Sequence, residues 1–144
     1  MLTPREKRQA RTRQEILDGA LALIREDGPE KLSMRALAKR VDYSPAGLYE
    51  YFAGKDEIID AVCAEGDRRL RHYLGQVSLE LPPDAYFIEL GRAYVQFALQ
   101  NEAHFMLMFT RVRDGGPITY EDVAGDETYG ILLNAVQSLS LIHI

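Results

Sequence analysis

The 144-residue sequence predicts an all-α fold. Apolar residues recur at the i, i+3, i+4 and i+7 spacing of a helical stripe, and no segment alternates apolar and polar residues as a half-buried strand would. Serine or proline stands where helices begin, and glycine or proline where they stop. No repeat or low-complexity segment interrupts this pattern.

The first helix is expected from about Glu6 to Asp27. Ile16, Leu17, Ala20, Leu23 and Ile24 form its apolar stripe, and Gly28-Pro29 stops it. Ser33 then caps a helix from Met34 to Val41 by accepting from backbone N–H groups that otherwise lack partners, with Leu32 and Leu37 as a hydrophobic staple. The device repeats at once. Ser44 is the next N-cap, Pro45 takes the first helical position where its missing N–H costs nothing, and Tyr43 and Leu48 form a second staple. Only Asp42 and Tyr43 lie between the two short helices. So short a connection fits a steep crossing, the pattern of a helix-turn-helix whose second helix is free to enter a DNA major groove. Met34, Leu37 and Val41 face inward from the first of the pair, Leu48 and Phe52 from the second.

A fourth helix, from about Lys55 to Leu74, is expected to bury Ile59, Val62, Cys63, Gly66, Leu70 and Tyr73 and to keep Glu57, Asp60, Asp67, Arg68 and Arg71 in water. Pro82-Pro83 forbids continuation, and Asp84 reads as the cap of a fifth helix reaching Asn101. Glu89, Arg92, Gln96 and Gln100 form one narrow polar stripe on it. The rest, including Phe87, Leu90, Gly91, Tyr94, Val95, Phe97 and Ala98, is apolar or small, which predicts cover over more than half the circumference. Residues 102–110 read as a short helix dense in aromatics and methionine, followed by a loop at Asp114-Gly-Gly-Pro117. A last helix begins between Tyr120 and Thr128 and runs through Tyr129, Ile131, Leu132, Ala135 and Val136.

With 47% hydrophobic residues the chain is long enough to bury a core as one or two domains. The net charge of −5 is unevenly spread: residues 1–60 hold eleven basic and eleven acidic side chains, and the remainder six against eleven. Within the neutral part, Arg5, Lys7, Arg8, Arg11 and Arg13 face only Glu6, and local charge governs a phosphate contact. This segment reads either as an arm following a nucleic-acid groove or as a solvated, frayed terminus. Cys63 is the single cysteine, which excludes an intrachain disulfide and a multi-cysteine metal site and fits a small apolar packing residue. No apolar run approaches the roughly 18 residues of a membrane span and the start lacks a signal peptide's apolar region, so a cytoplasmic protein without a membrane partner is expected.

Caps alone would suit any pair of helices. The outward face of the second short helix narrows the reading. Pro45, Ala46 and Gly47 are small enough for a backbone to approach base edges, while Tyr49, Tyr51 and Lys55 offer donors that reach phosphates on either side. A core helix more often presents bulky apolar residues on both sides.

The run Leu48-Tyr49-Glu50-Tyr51-Phe52-Ala53-Gly54-Lys55-Asp56-Glu57-Ile58 resembles the signature of TetR-family transcriptional regulators, Leu/Ile-Tyr-x-His/Tyr-Phe-x-x-Lys-Glu/Asp-x-Leu. Ser33-Met34-Arg35-Ala36-Leu37-Ala38 is similar to that family's Thr/Ser-x-Arg-x-Ile/Leu-Ala. The match is gapless and covers roughly residues 10 to 60. The resemblance implies a helix-turn-helix DNA-binding domain over residues 1–56 and a helical ligand-binding and dimerisation domain over residues 57–144. It implies phosphate contacts from Tyr49, Tyr51 and Lys55, base reading from Tyr43, Ser44, Pro45, Ala46 and Gly47, and backbone contacts from Ser33 and Arg35. The fourth helix would link the domains and carry the ligand signal. Asp42 departs from the family's usual glycine, and aspartate tolerates a left-handed conformation better than most residues. Ala46 and Gly47 lack long polar side chains, so base readout would rest on Tyr43, Ser44, DNA shape or the arm.

The function so implied is a ligand-responsive transcriptional regulator, most often a repressor, binding a palindromic double-stranded DNA operator as a homodimer and answering to a small-molecule effector. Tyr94, Phe97, His104, Phe105, Met108 and Phe109 form a cluster that reads either as a pocket wall for an apolar or aromatic molecule or as ordinary core. His104 by itself more often marks a partnered structural histidine. TetR-like regulators usually close with two further long helices that pair between subunits, whereas Ser138 to Ile144 is apolar and uncapped. A fragment is expected, with a naturally short regulator as the alternative; missing helices would leave apolar surface exposed. His72, His104 and His143 have no metal-ligand spacing with carboxylates, and there is no nucleophile motif or Gly-rich phosphate loop. No enzyme activity and no cofactor is expected. A helical small-molecule or protein interaction module that keeps the fold without DNA binding is the competing class.

Overall fold

The computed structural model describes residues 1–110 and 125–142, and among these every regular element is helical. The chain divides into two compact units, Met1–Ala64 and Glu65–Ile144.

The first unit begins with α1, Pro4–Asp27. It starts two residues earlier than the apolar pattern suggests because Thr3 and Glu6 close a capping box: the Glu6 N–H donates to Thr3 Oγ1 at 3.2 Å and the Thr3 N–H to Glu6 Oε2 at 2.7 Å. These bonds hold the Glu6 carboxyl below its ordinary range, the one from the Thr3 backbone most strongly. Thr-Pro-Arg-Glu is a legible capping-box sequence. Arg5 to Arg13 therefore form the opening turns of α1 rather than a separate arm. The buried stripe is Ile16, Leu17, Ala20, Leu21 and Ile24, with Leu21 in the place expected for Leu23. Both leucines flank the stripe, and it is covered on the Leu21 side. Gly28 ends the helix at φ +85°, a conformation that favours glycine. A 3-10 turn at Pro29–Lys31 leads to α2, Met34–Val41, and α3, Pro45–Tyr49.

Helix α4 spans Lys55–Gly75, and the division between the two units falls within it. In the first unit it buries Ile58, Ile59 and Val62, while Cys63 is only half-buried. Ile58 escapes a pattern started at Ile59, from which it stands about 100° around the helix, on the far side of Val62. In the second unit α4 contributes Leu70 and Leu74 to a core with Leu90, Ala93, Phe97 and Ala135, against which Tyr73, Tyr86, Ile131 and Leu132 pack. The partners are α5, Pro83–Gln100, α6, Glu102–Thr110, and α7, Glu127–Ile142; α5 lies against both α6 and α7. Pro82, not Asp84, stands at the N-cap of α5 and makes no side-chain cap. The loop expected at residues 114–117 lies outside the described residues.

One expectation fails clearly. Helix α5 buries only Leu90, Ala93 and Phe97, while Phe87, Ile88, Val95 and Leu99 are exposed. Apolar spacing states what a face would gain from contact, and burial needs a neighbour as well; the described elements cover α5 on one side only. No helix among the described residues is long and apolar enough to cross a membrane, and no group of three or more His, Cys, Asp or Glu among them is placed to hold a metal ion.

Candidate nucleic-acid interface

The α2–α3 pair is built from backbone bonds that its own serines complete. Ser33 Oγ accepts from the Ala36 N–H and Ser44 Oγ from the Gly47 N–H, both at 3.0 Å. Between them Asp42 adopts the left-handed conformation, φ 62° and ψ 41°, and the Tyr43 N–H donates to the Ala38 carbonyl at 3.0 Å. Asp42 is the one non-glycine residue with positive φ among the described residues, and aspartate is among the side chains that bear it best. Leu37, Leu48 and Phe52 are fully buried beneath the pair.

Two further contacts brace α2 on α1, and neither has a signature in sequence. The Arg40 guanidinium grips the Glu26 carboxylate with two bonds of 2.8 Å. This hydrogen-bonded pairing lowers the Glu26 carboxyl and raises the Arg40 guanidinium, and it leaves Arg40 neutralised. Close by, Gly19 lets the helices approach so tightly that a Cβ there would stand 2.3 Å from Val41 Cγ1.

Outside this frame lies a face of small and aromatic residues. Tyr43 and Tyr49 are 38% and 54% exposed, and Ser44, Pro45 and Ala46 between them are exposed as well. Gly47 is half-buried; a Cβ there would lie 3.3 Å from the capping Ser44 Oγ. Arg35 is exposed on the first turn of α2. Ser33 and Ser44 each spend an acceptor lone pair on their caps, leaving the hydroxyl proton to donate outward. Tyr51 and Lys55 are half-buried, and Lys55 Nζ donates to the Glu30 carbonyl at 3.3 Å, which leaves two of its three donors. The start of α4 is held by Glu57, which accepts from the Ala53 N–H at 2.9 Å. One more basic residue enters from α1: Arg13 Cζ stands 5.0 Å from the centre of the Phe52 ring. An arginine and an aromatic 39 positions apart carry no recognisable spacing.

In the second unit the aromatic cluster is assembled but largely filled. Tyr94 meets Phe105 and Phe109 edge-on at 6.1 and 6.2 Å, and Phe105 and Phe109 lie 4.8 Å apart. Burial pushes the Tyr94 phenol up. Phe97 is fully buried with its ring edge-on to Tyr73, Met108 packs on the core, and Phe109 is exposed. A groove of about 560 Å³ in the same unit contains none of these six residues. His72, Tyr73 and Gln76 of α4 line it together with Glu89, Arg92 and Gln96 of α5, so the polar stripe of α5 forms one of its walls.

His104 is buried, with Nε2 3.2 Å from Glu65 Oε2, and Arg69 bridges Glu65 Oε1 at 3.1 Å to Asn101 Oδ1 at 2.9 Å. Burial opposes the Glu65 charge, but the His104 hydrogen bond and the Arg69 charge outweigh it and hold the carboxyl below its ordinary value. A depressed carboxyl stabilises the fold above its unfolded pKa of about 4.3, and that stabilisation disappears as pH falls through the lower folded value. The stability advantage of the parent over Glu65→Gln is therefore expected to be largest near neutrality and to shrink below about pH 4. Urea titrations at pH 7 and pH 3 measure it, and equal differences at both would refute the pairing.

The comparisons agree with this geometry. Over 103 residues the chain is 26% identical to an uncharacterized HTH-type transcriptional regulator, YobS, of Bacillus subtilis (strain 168), covering 72% of this chain and 54% of that one. Over 53 residues it is 40% identical to the HTH-type nicotine-responsive transcriptional repressor HdnoR of Paenarthrobacter nicotinovorans, covering 37% of this chain and 27% of that one. The chain thus spans about half the length of the first relative and about a quarter of the second. Its fold is shared with a TetR-like transcriptional regulator from Rhodococcus sp. RHA1 at a TM-score of 0.69 and 19% identity, covering 96% of this chain and 73% of that one. Residues 16–62, from the buried stripe of α1 through the α2–α3 pair into α4, match the model of bacterial regulatory proteins of the tetR family. Over these residues, about a third of the chain, the protein is similar to the tetR family.

Proposed function

We propose that the protein is a transcriptional regulator, acting as a repressor, that binds double-stranded operator DNA through α3. The observation that carries this reading is the free face of α3, where Ser44, Pro45 and Ala46 are exposed between Tyr43 and Tyr49 on a helix anchored from behind by Leu48 and Phe52. A small face flanked by donors suits insertion into a major groove, with Tyr49, Tyr51, Lys55, Ser33 and Arg35 on phosphates and Tyr43 to Gly47 against base edges. A homodimer would present two such helices to successive major grooves of a palindromic site, about 34–36 Å apart. A small-molecule effector would act from the second unit by favouring an arrangement in which that spacing is lost. Its contacts are assigned to the cluster Tyr94, Phe97, His104, Phe105, Met108 and Phe109.

The test is binding to DNA from upstream of the protein's own gene, followed by fluorescence anisotropy across a salt series. A sequence-selective complex is expected. Tyr49→Phe removes only a hydroxyl and is expected to weaken that complex about ten-fold, as loss of a hydrogen bond to a charged acceptor does, with the melting temperature unchanged. No selective complex at any salt concentration would sink the reading. Undiminished regulation in Tyr49→Ala and Lys55→Ala variants would favour an interaction module that keeps the fold alone.

A further inference from the structure

We infer that Arg13 is a further phosphate-contacting residue, held in position by the ring of Phe52; this rests on the DNA-binding reading above. Phe52 is 1% exposed and Arg13 is exposed, so the guanidinium lies between the ring and solvent. A ring face attracts the cation as a whole and occupies none of its five N–H donors. The contact therefore tethers the guanidinium over the ring and leaves its N–H donors free for an oxygen pair such as a phosphate presents.

Charge separates Arg13 from the other fixed arginines. Arg40 is neutralised by Glu26, Arg69 by Glu65, Arg71 by Asp67 and Glu127, and Arg92 lies beside Glu89. No carboxylate among the described residues pairs with Arg13. The ring it covers belongs to the residue after Tyr51, and the Phe52 N–H donates to the Leu48 carbonyl, so Arg13 is tied to the C-terminal end of the reading helix. Arg13 thus supplies from α1 an exposed positive charge toward the end of α3 that carries Tyr49 and precedes half-buried Tyr51 and Lys55.

A side chain that merely shields Phe52 would give the same contact distance, and the salt dependence of binding separates the two roles. Each phosphate contact from a cation contributes about 0.9 to the slope of log K against log salt on duplex DNA. The full-length protein is titrated with two labelled duplexes, one from upstream of its own gene and one of random sequence and equal length. Arg13→Gln is expected to lower the slope by about one on both, with a similar loss of affinity on each, and Arg13→Lys to retain the slope while binding more weakly because its ammonium lacks the guanidinium's planar fork of donors. Arg13→Met keeps an apolar cover over the ring without the charge and should match Arg13→Gln in slope even if glutamine lowers the melting temperature. An unchanged slope in Arg13→Met, with the parent protein binding normally, would overturn the inference while leaving the DNA-binding reading intact. Failure of the parent protein to bind either duplex would overturn both.

Discussion

Phe52→Ala is expected to cost the first unit about 3–5 kcal/mol, the range for deleting a buried phenyl ring from a packed core. The ring is 1% exposed, and its backbone N–H, bonded to the Leu48 carbonyl at 3.0 Å, continues the hydrogen bonding of α3 past its end. A unit of about 60 residues buries only about 60% of its unfolded surface and has little stability to spare. Loss on this scale leaves α3 without a seat, so DNA binding should vanish together with the fold rather than decline separately. Phe52→Leu fills most of the volume and is expected to cost less than about 1.5 kcal/mol, although it removes the platform beneath Arg13. Urea denaturation followed by circular dichroism compares the variants. A cost below about 1 kcal/mol for Phe52→Ala would mean that the ring does not hold the unit together.

Gly19→Val is expected to cost about 3 kcal/mol, at the upper end of overpacking penalties. A Cβ at Gly19 would meet Val41 Cγ1 at 2.3 Å and Leu37 Cδ1 at 3.4 Å. Valine is stiff at χ1, so Val41 cannot simply swing aside, and α1 must part from α2. That separation also strains the Arg40–Glu26 grip, one residue before Val41 at the same end of α2. The contact is specific, so Val41→Ala should recover part of the loss in the Gly19→Val background, with a coupling of about 0.5–3 kcal/mol in a double-mutant cycle. Additive costs would place the strain elsewhere.

Local chemistry was legible in the sequence wherever it was carried by neighbouring residues. Ser33 and Ser44 cap the helices assigned to them, Asp42 takes the left-handed turn, and Leu37, Leu48 and Phe52 point inward, because each outcome is decided within about four positions of the chain. Contacts between distant segments were not legible. Arg13 on Phe52, Arg40 on Glu26 and Glu65 on His104 require knowing which helices cross and at what height, and composition does not encode that. The exposed side of α5 shows the same limit from the other direction. Ile88, Val95 and Leu99 are apolar at helical spacing, yet spacing alone does not say whether a partner element covers them. The aromatic cluster belongs between these cases: its members do come together, while the groove in the same unit forms along the polar stripe of α5.

Adjacent residues on α3 differ sharply in how freely they can change over time. Gly47 is bound to the architecture, since a side chain there would press on the serine that caps the helix. Ala46, one position earlier, is exposed on the first turn of the helix. If α3 reads bases, replacing Ala46 by arginine, asparagine or glutamine would add a long donor facing the groove without disturbing the fold. A lineage of such proteins would then acquire a new DNA address by one substitution, while the machinery that presents it is inherited unchanged.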